Sequence, residues 1–183
     1  MTIAFKQQFD IQILNQYWAD QKDDNTDDLC SHGEIHLTIN EVDVITEHDG
    51  EWTLSTSALQ LLRSVFSDFQ GQDTSMILHC GMLLMMGCPI SVSWDVTHTQ
   101  DAVRINNVYK IPTVRGNTER FGEAEVELKL VEYARPIIKF ADEVYDFFNR
   151  SEEEKVSKGY EDREFAQFWQ EFSEKRQRAR RLF

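Results

Sequence analysis

The chain has 183 residues, 41% of them hydrophobic, and carries a formal net charge of −13. Its length fits one domain with a core of its own, and the hydrophobic share argues against a largely disordered chain. The negative charge disfavours nucleic acid and anionic membranes as partners, because their phosphates would be repelled.

The first half of the chain predicts strands on either side of one helix. Apolar residues alternate with polar ones over residues 9–13, 35–39 and 42–46, the period of half-buried strands, and Asn40-Glu41 joins the last two as a hairpin. Ser57 and Gln60 have the spacing of a capping box, which predicts a helix running from there to Gly71. The largely apolar residues 76–84 then predict a buried central strand, and their length leaves a helix as the alternative.

The second half predicts a hairpin, a charged strand and two helices. Residues 90–98 and 103–106 alternate around a polar turn. Residues 124–130 place apolar side chains opposite Glu123, Glu125, Glu127 and Lys129, which predicts a strand with one charged face. Pro136 suits the first turn of the next helix. The fold class is therefore α+β, with a mainly antiparallel twisted sheet of about six or seven strands, one inserted helix and two C-terminal helices.

The C-terminal end reverses the charge of the chain. Its last ten residues have five basic side chains against one acidic one, a net charge of +4, so residues 1–173 carry −17. The helix before it sets four aromatic side chains on one stripe: Phe165, Phe168, Trp169 and Phe172. We expect one α+β domain over residues 1–150, with residues 151–183 an acidic linker and an amphipathic helix docked on it. The alternative is a helix that docks on a partner or on a second copy in a homodimer.

Cysteine and histidine side chains supply the ligand types that zinc prefers. Cys30 and His32 lie in one loop, and His79 and Cys80 are adjacent in the predicted central strand. The usual knuckle spacing is missing, however, and neighbouring residues of a straight strand point to opposite faces. The sequence therefore predicts no metal site, and the scattered glycines predict no nucleotide cofactor. With three cysteines and no export signal, the expected compartment is the cytoplasm.

Candidate catalytic groups lack a recognisable local signature. Cys30, His32 and Asp28 combine a thiol, a base and an acid in one loop, but residues so close in sequence seldom build a catalytic geometry by themselves. A small hydrolase or transferase using Cys30 and His32 stays an alternative, as does an adaptor that docks through its aromatic helix. No catalytic residue is predicted.

The favoured hypothesis is a non-enzymatic acidic protein that neutralises a basic protein partner. Opposite charge speeds the encounter of two proteins, and carboxylates can occupy a cationic site. Immunity proteins act in this way on basic toxin domains such as nucleases. The residues predicted to bind the partner are the carboxylates of an exposed acidic loop and of the late strand: Asp23, Asp24, Asp27, Asp28, Glu123, Glu125 and Glu127.

Overall fold

The computed structural model describes residues 8–19, 28–151, 155 and 160–183. Of the predicted partner-binding residues, Asp23, Asp24 and Asp27 lie outside these ranges. Within the described part of the chain, no helix has the length and apolar character needed to cross a membrane.

The described residues form three antiparallel sheets and three α-helices, which confirms the predicted α+β class. One sheet has the order β1-β3-β4, and the largest has the order β11-β10-β9-β6-β5-β2, with β12 also paired to β10. A short hairpin, β7-β8, makes up the third. The elements are β1 Phe9–Ile13, β2 His32–Gly33, β3 Ile35–Ile39, β4 Val42–Ile45, β5 Trp52–Thr53, α1 Leu54–Ser64, β6 Ile77–Leu78, β7 Gly81–Met82, β8 Met85–Met86, β9 Ser91–Thr99, β10 Ala102–Ile111, β11 Glu119–Arg120, β12 Val126–Lys129, α2 Leu130–Asn149 and α3 Tyr160–Arg180.

The hairpin of β3 and β4 turns where the sequence predicts it. Asn40 and Glu41 have φ angles of 48° and 67°, the left-handed pair that a two-residue type I′ turn requires. Asparagine tolerates this region because its short side chain can bond locally. The turn therefore fits the right-handed twist of the two strands it joins.

Helix α1 begins earlier than predicted, and Ser57 lies inside it. The Ser57 Oγ donates to the Thr53 carbonyl at 2.6 Å and accepts from the Leu78 N–H at 3.0 Å. The predicted capping box at Ser57 and Gln60 is therefore wrong. The hydroxyl satisfies a backbone group of β6 instead, so it joins the helix to the sheet.

Two further elements differ from their predictions. Residues 76–84 do not form one strand, because β6 ends at Leu78 and the chain bends into the β7-β8 hairpin, whose tip residue Leu83 has a φ of 53°. The late strand covers only Val126–Lys129, and α2 starts directly after it at Leu130. Pro136 consequently lies inside α2 rather than in its first turn.

At the centre of the core, hydrogen bonds connect two buried aromatic side chains, Trp94 and Tyr133, to Ser64. The rings of Phe9 and Tyr133 lie 4.7 Å apart, and Trp94 Nε1 donates to the Tyr133 hydroxyl at 3.3 Å. That hydroxyl is 2.7 Å from Ser64 Oγ, which donates in turn to the Leu61 carbonyl. Complete burial raises the pKa of Tyr133 to about 12, against the effect of these bonds. The hydroxyl therefore stays neutral and ties α2 to α1 and β9.

Helix α3 packs on α1 and α2. Phe168 and Phe172 are fully buried, whereas Phe165 and Trp169 are half-buried. The Trp169 ring contacts the Phe148 ring of α2 at 4.6 Å between centroids. The aromatic stripe thus covers the helices rather than the sheet.

Candidate functional site

The predicted glutamates lie along an edge of the large sheet. Glu123 is in a 3-10 helical turn and Glu125 and Glu127 lie along or just before β12; all three are exposed. The alternate residues Ala124 and Leu128 are buried, and Val126 is half-buried. We call Glu123, Glu125 and Glu127 the glutamate face. The alternation of the sequence places its carboxylates in solvent, as an antiparallel strand with one wet face does.

Neighbouring elements fix the backbone of the glutamate face. The Asn40 side-chain amide donates to the carbonyls of Glu123 and Glu125, at 2.9 and 3.2 Å. On the other side, Glu127 is paired in register with Arg104 of β10. Arg104 is exposed and partly balances Glu127, so Glu123 and Glu125 carry the more isolated negative charge.

The basic residues of α3 contact the body of the protein. Arg176 and Arg180 share Asp142 of α2, with N···O distances of 2.5 and 2.8 Å. The guanidinium of Arg178 lies 4.2 Å from the centroid of the Phe66 ring, a cation–π contact. Much of the positive charge at this end of the chain is therefore engaged within the molecule.

A bidentate ion pair also joins α3 to α1. Arg63 donates to both carboxylate oxygens of Glu171, at 2.7 and 2.6 Å. These hydrogen bonds lower the pKa of Glu171, against the opposing effect of partial burial. Planar, two-bond geometry makes this pair stronger than an ordinary surface contact.

The predicted loop residues are engaged separately. The Asp28 carboxylate accepts from the Ala19 N–H at 3.0 Å. Cys30 is buried, and burial raises the pKa of its thiol despite hydrogen bonding to neighbouring residues. His32 Nδ1 faces Glu51 at 3.5 Å, without the geometry of a hydrogen bond. A buried, protonated thiol and an imidazole turned toward a glutamate do not make a prepared nucleophile and base.

A second cluster joins residues from both ends of the β7-β8 hairpin. His79 and Cys80 lie in the bend after β6, and Cys88 lies just before β9. One ligand atom from each comes within 4.8 Å of the others, the only such group of three His, Cys, Asp or Glu residues in the described part of the chain. All three side chains are half-buried. In a straight strand, His79 and Cys80 would point to opposite faces, but the chain bends at these two residues.

Backbone hydrogen bonds close the hairpin over this cluster. The Gly87 N–H donates to the Cys80 carbonyl, and the Cys88 N–H donates to Cys80 Sγ, both at 2.9 Å. Cys88 Sγ lies 3.6 Å from His79 Nδ1. Burial and the adjacent Cys88 thiol raise the pKa of Cys80, so a metal ion would have to displace its proton.

Glycine is required at position 87. A Cβ there would lie 2.3 Å from the carbonyl oxygen of Cys80 and 2.7 Å from its sulfur. These distances are far inside van der Waals contact, which starts near about 3.5 Å. The close approach of the two cysteine-bearing segments therefore depends on a residue without a side chain.

The comparisons with known proteins assign no family. No protein-family model matches the chain, and neither a curated protein nor a solved structure matches it significantly.

Sequence reasoning missed Cys88 as a partner of His79 and Cys80. One signal was available in the sequence: Gly81 follows Cys80 and Gly87 precedes Cys88, and the residues between the two glycines are all apolar. Such symmetry is typical of a tight hairpin whose ends approach closely. The prediction of one strand over residues 76–84 left no place for this hairpin.

Proposed function

We propose that this chain is a non-enzymatic acidic binding protein that neutralises a basic protein partner, as immunity proteins do with basic toxin domains. The observation that carries the proposal is the exposed glutamate face, set on a rigid sheet edge. Because the backbone under these carboxylates is already ordered, only the side chains have to be ordered when they enter a cationic site.

The position of the basic residues supports this proposal. Arg176 and Arg180 bind Asp142, which lies 12 residues after the start of α2 at Leu130. The charge of these two arginines is therefore engaged by Asp142 of α2 rather than by the glutamate face.

The burial of the aromatic stripe also supports a surface-based partner site. Phe168 and Phe172 are fully buried where α3 meets α1 and α2. A partner could reach them only after α3 had left the body, which would expose two large apolar side chains to water. The glutamate face needs no such rearrangement.

Affinity capture with matched charge variants tests the proposal. The baits are the wild-type chain, the double reversal Glu123→Lys with Glu125→Lys, and a control reversal of equal charge, Asp73→Lys with Glu143→Lys. Asp73 lies in the loop between α1 and β6, and Glu143 lies on α2, where it pairs with Lys139; both carboxylates are solvent-accessible. A basic protein held by the wild-type and control baits, but not by the Glu123 and Glu125 reversal, would support the proposal.

Kinetics with the captured protein give the second measurement. Steered association falls with salt mainly through the association rate, and reversing two charges is expected to slow it by about tenfold or more at low salt. The control reversal should change it much less. Equal capture by all three baits, or an affinity that salt does not alter, would refute the proposal.

A further inference from the structure

We propose that His79, Cys80 and Cys88 bind one Zn²⁺ ion, with the fourth coordination position open to water. This site is separate from the proposed partner surface, since it lies between β6 and β9 rather than on β12. It needs no partner protein, so each proposal can fail without the other.

The separation of the ligand atoms fits tetrahedral zinc. With Zn–S near about 2.3 Å and Zn–N near about 2.05 Å, tetrahedral angles place a sulfur and a nitrogen ligand about 3.6 Å apart. Cys88 Sγ and His79 Nδ1 are 3.6 Å apart, and the two sulfurs and one ring nitrogen of His79 all lie within 4.8 Å of one another. A small closing movement of Cys80 therefore completes the three-ligand set.

The chemistry of the donors selects the metal. Two thiolates and an imidazole are soft and borderline ligands, which favour zinc over magnesium or calcium, since those ions prefer oxygen. Three protein ligands are also fewer than the four of a closed structural zinc site. The remaining position is accessible because all three side chains are only half-buried.

Surrounding groups hold the ligands in place. The Cys88 N–H points at Cys80 Sγ and would stabilise the negative charge of a thiolate. The backbone of His79 is fixed at both ends, because its N–H donates to the Ile90 carbonyl at 3.2 Å and its carbonyl accepts from Thr53 Oγ1 at 3.1 Å. Hydrogen bonds from the groups around metal ligands orient the ligands and raise the affinity for the metal.

Zinc binding by the reduced, full-length chain tests the site. Metal-free protein is titrated with Zn²⁺ against a chromogenic chelator, and with Co²⁺ to record the thiolate charge-transfer and tetrahedral d–d bands. We expect one equivalent to bind. Cys80→Ser and Cys88→Ser should each lower the affinity by at least about 100-fold, and His79→Gln should shift the Co²⁺ spectrum.

Cys30→Ser is the matched control, because it removes the third thiol without touching the cluster. Cys30 is hydrogen-bonded to Ser55, Thr56 and the backbone of Leu83 at the hairpin tip, but it supplies none of the three ligands, so Cys30→Ser should leave zinc affinity nearly unchanged. Zinc protection against alkylation needs no variant: in the wild-type chain, bound zinc should shield Cys80 and Cys88. Folding of each variant is checked by its circular dichroism.

Three results would overturn the proposal. The first is binding of less than one equivalent by the reduced wild-type chain. The second is binding that survives in the double variant Cys80→Ser with Cys88→Ser. The third combines two observations: a Cys80–Cys88 disulfide in protein isolated without reductant, and no zinc binding after that disulfide is reduced. The two cysteines would then be a redox couple rather than zinc ligands.

Discussion

Substituting Gly87 by alanine should loosen the hairpin and the cluster together. The added Cβ would meet the backbone carbonyl of Cys80 at 2.3 Å. Restoring a contact near about 3.5 Å requires the two segments to separate by about 1 Å. The carbonyl cannot rotate away as a flexible side chain would, and its hydrogen bond from the Gly87 N–H at 2.9 Å would break.

The expected loss of zinc affinity follows from the narrow range of metal–ligand distances that a zinc site accepts. Ligand distances in an occupied metal site hold to within about 0.2 Å, so a further separation of about 1 Å would have to be recovered when zinc binds. We expect Gly87→Ala to weaken zinc binding by at least about tenfold, or about 1.4 kcal/mol. The metal-free protein should also lose about 1–3 kcal/mol of unfolding free energy, the usual cost of overpacking.

Gly122→Ala provides the matched control for this prediction. Gly122 lies in the exposed 3-10 turn beside Glu123, and no atom outside its neighbours lies within 4 Å of a Cβ built there. Urea denaturation of the reduced, metal-free proteins and the zinc titration are measured on both variants. If Gly87→Ala matches Gly122→Ala in both, the close approach of Cys80 and Gly87 does not govern the hairpin.

Two further predictions concern the core and the contact of α3 with α1. Tyr133→Phe should lower the unfolding free energy by about 1–3 kcal/mol, because the buried N–H of Trp94 loses its acceptor. An unchanged unfolding free energy in urea denaturation would contradict the role of the Tyr133 hydroxyl in these hydrogen bonds. For Glu171, the folded-state pKa lies below the unfolded value of about 4.3, so its stabilising effect is present above that pH and is lost as pH falls through the folded pKa. Thermal melts recorded at several pH values should therefore show less destabilisation by acid in Glu171→Gln than in the wild type. The difference should be up to about 1 kcal/mol, because the carboxylate is partly exposed. If the stability of both proteins falls with pH in parallel, the Glu171–Arg63 pair does not contribute as expected.

Local patterns predicted the β3-β4 and β9-β10 hairpins because the information lies within each of these two hairpins. Residues 35–46 combine a two-residue period with a turn whose residues accept positive φ, and the strand β9 follows the alternation of residues 90–98 closely. The exposure of Glu123, Glu125 and Glu127 follows from the same period. The alternation does not account for Ser91 and Ser93 of β9, which are buried by other elements of the fold.

The missed features depend on contacts between distant residues. Ser57 looks like a cap in the sequence, but the Leu78 N–H that it satisfies lies in another element. In the same way, apolar residues 76–84 favour a strand until Gly87 allows the chain to return against Cys80. Periodicity describes one segment at a time, so it cannot report a bend that another segment stabilises.

The charge split of the chain has a simple electrostatic consequence. If the +4 of the last ten residues were spread over the whole surface, it would offset part of the −17 everywhere. Instead, Arg176 and Arg180 are concentrated on Asp142, and Arg178 lies on an aromatic ring. This positive charge therefore stabilises the docking of α3, whereas on the glutamate face Glu127 is partly balanced by Arg104. A protein that approaches within a Debye length of the glutamate face, about 8 Å at physiological ionic strength, would respond mainly to the charges near it rather than to the net charge of the molecule.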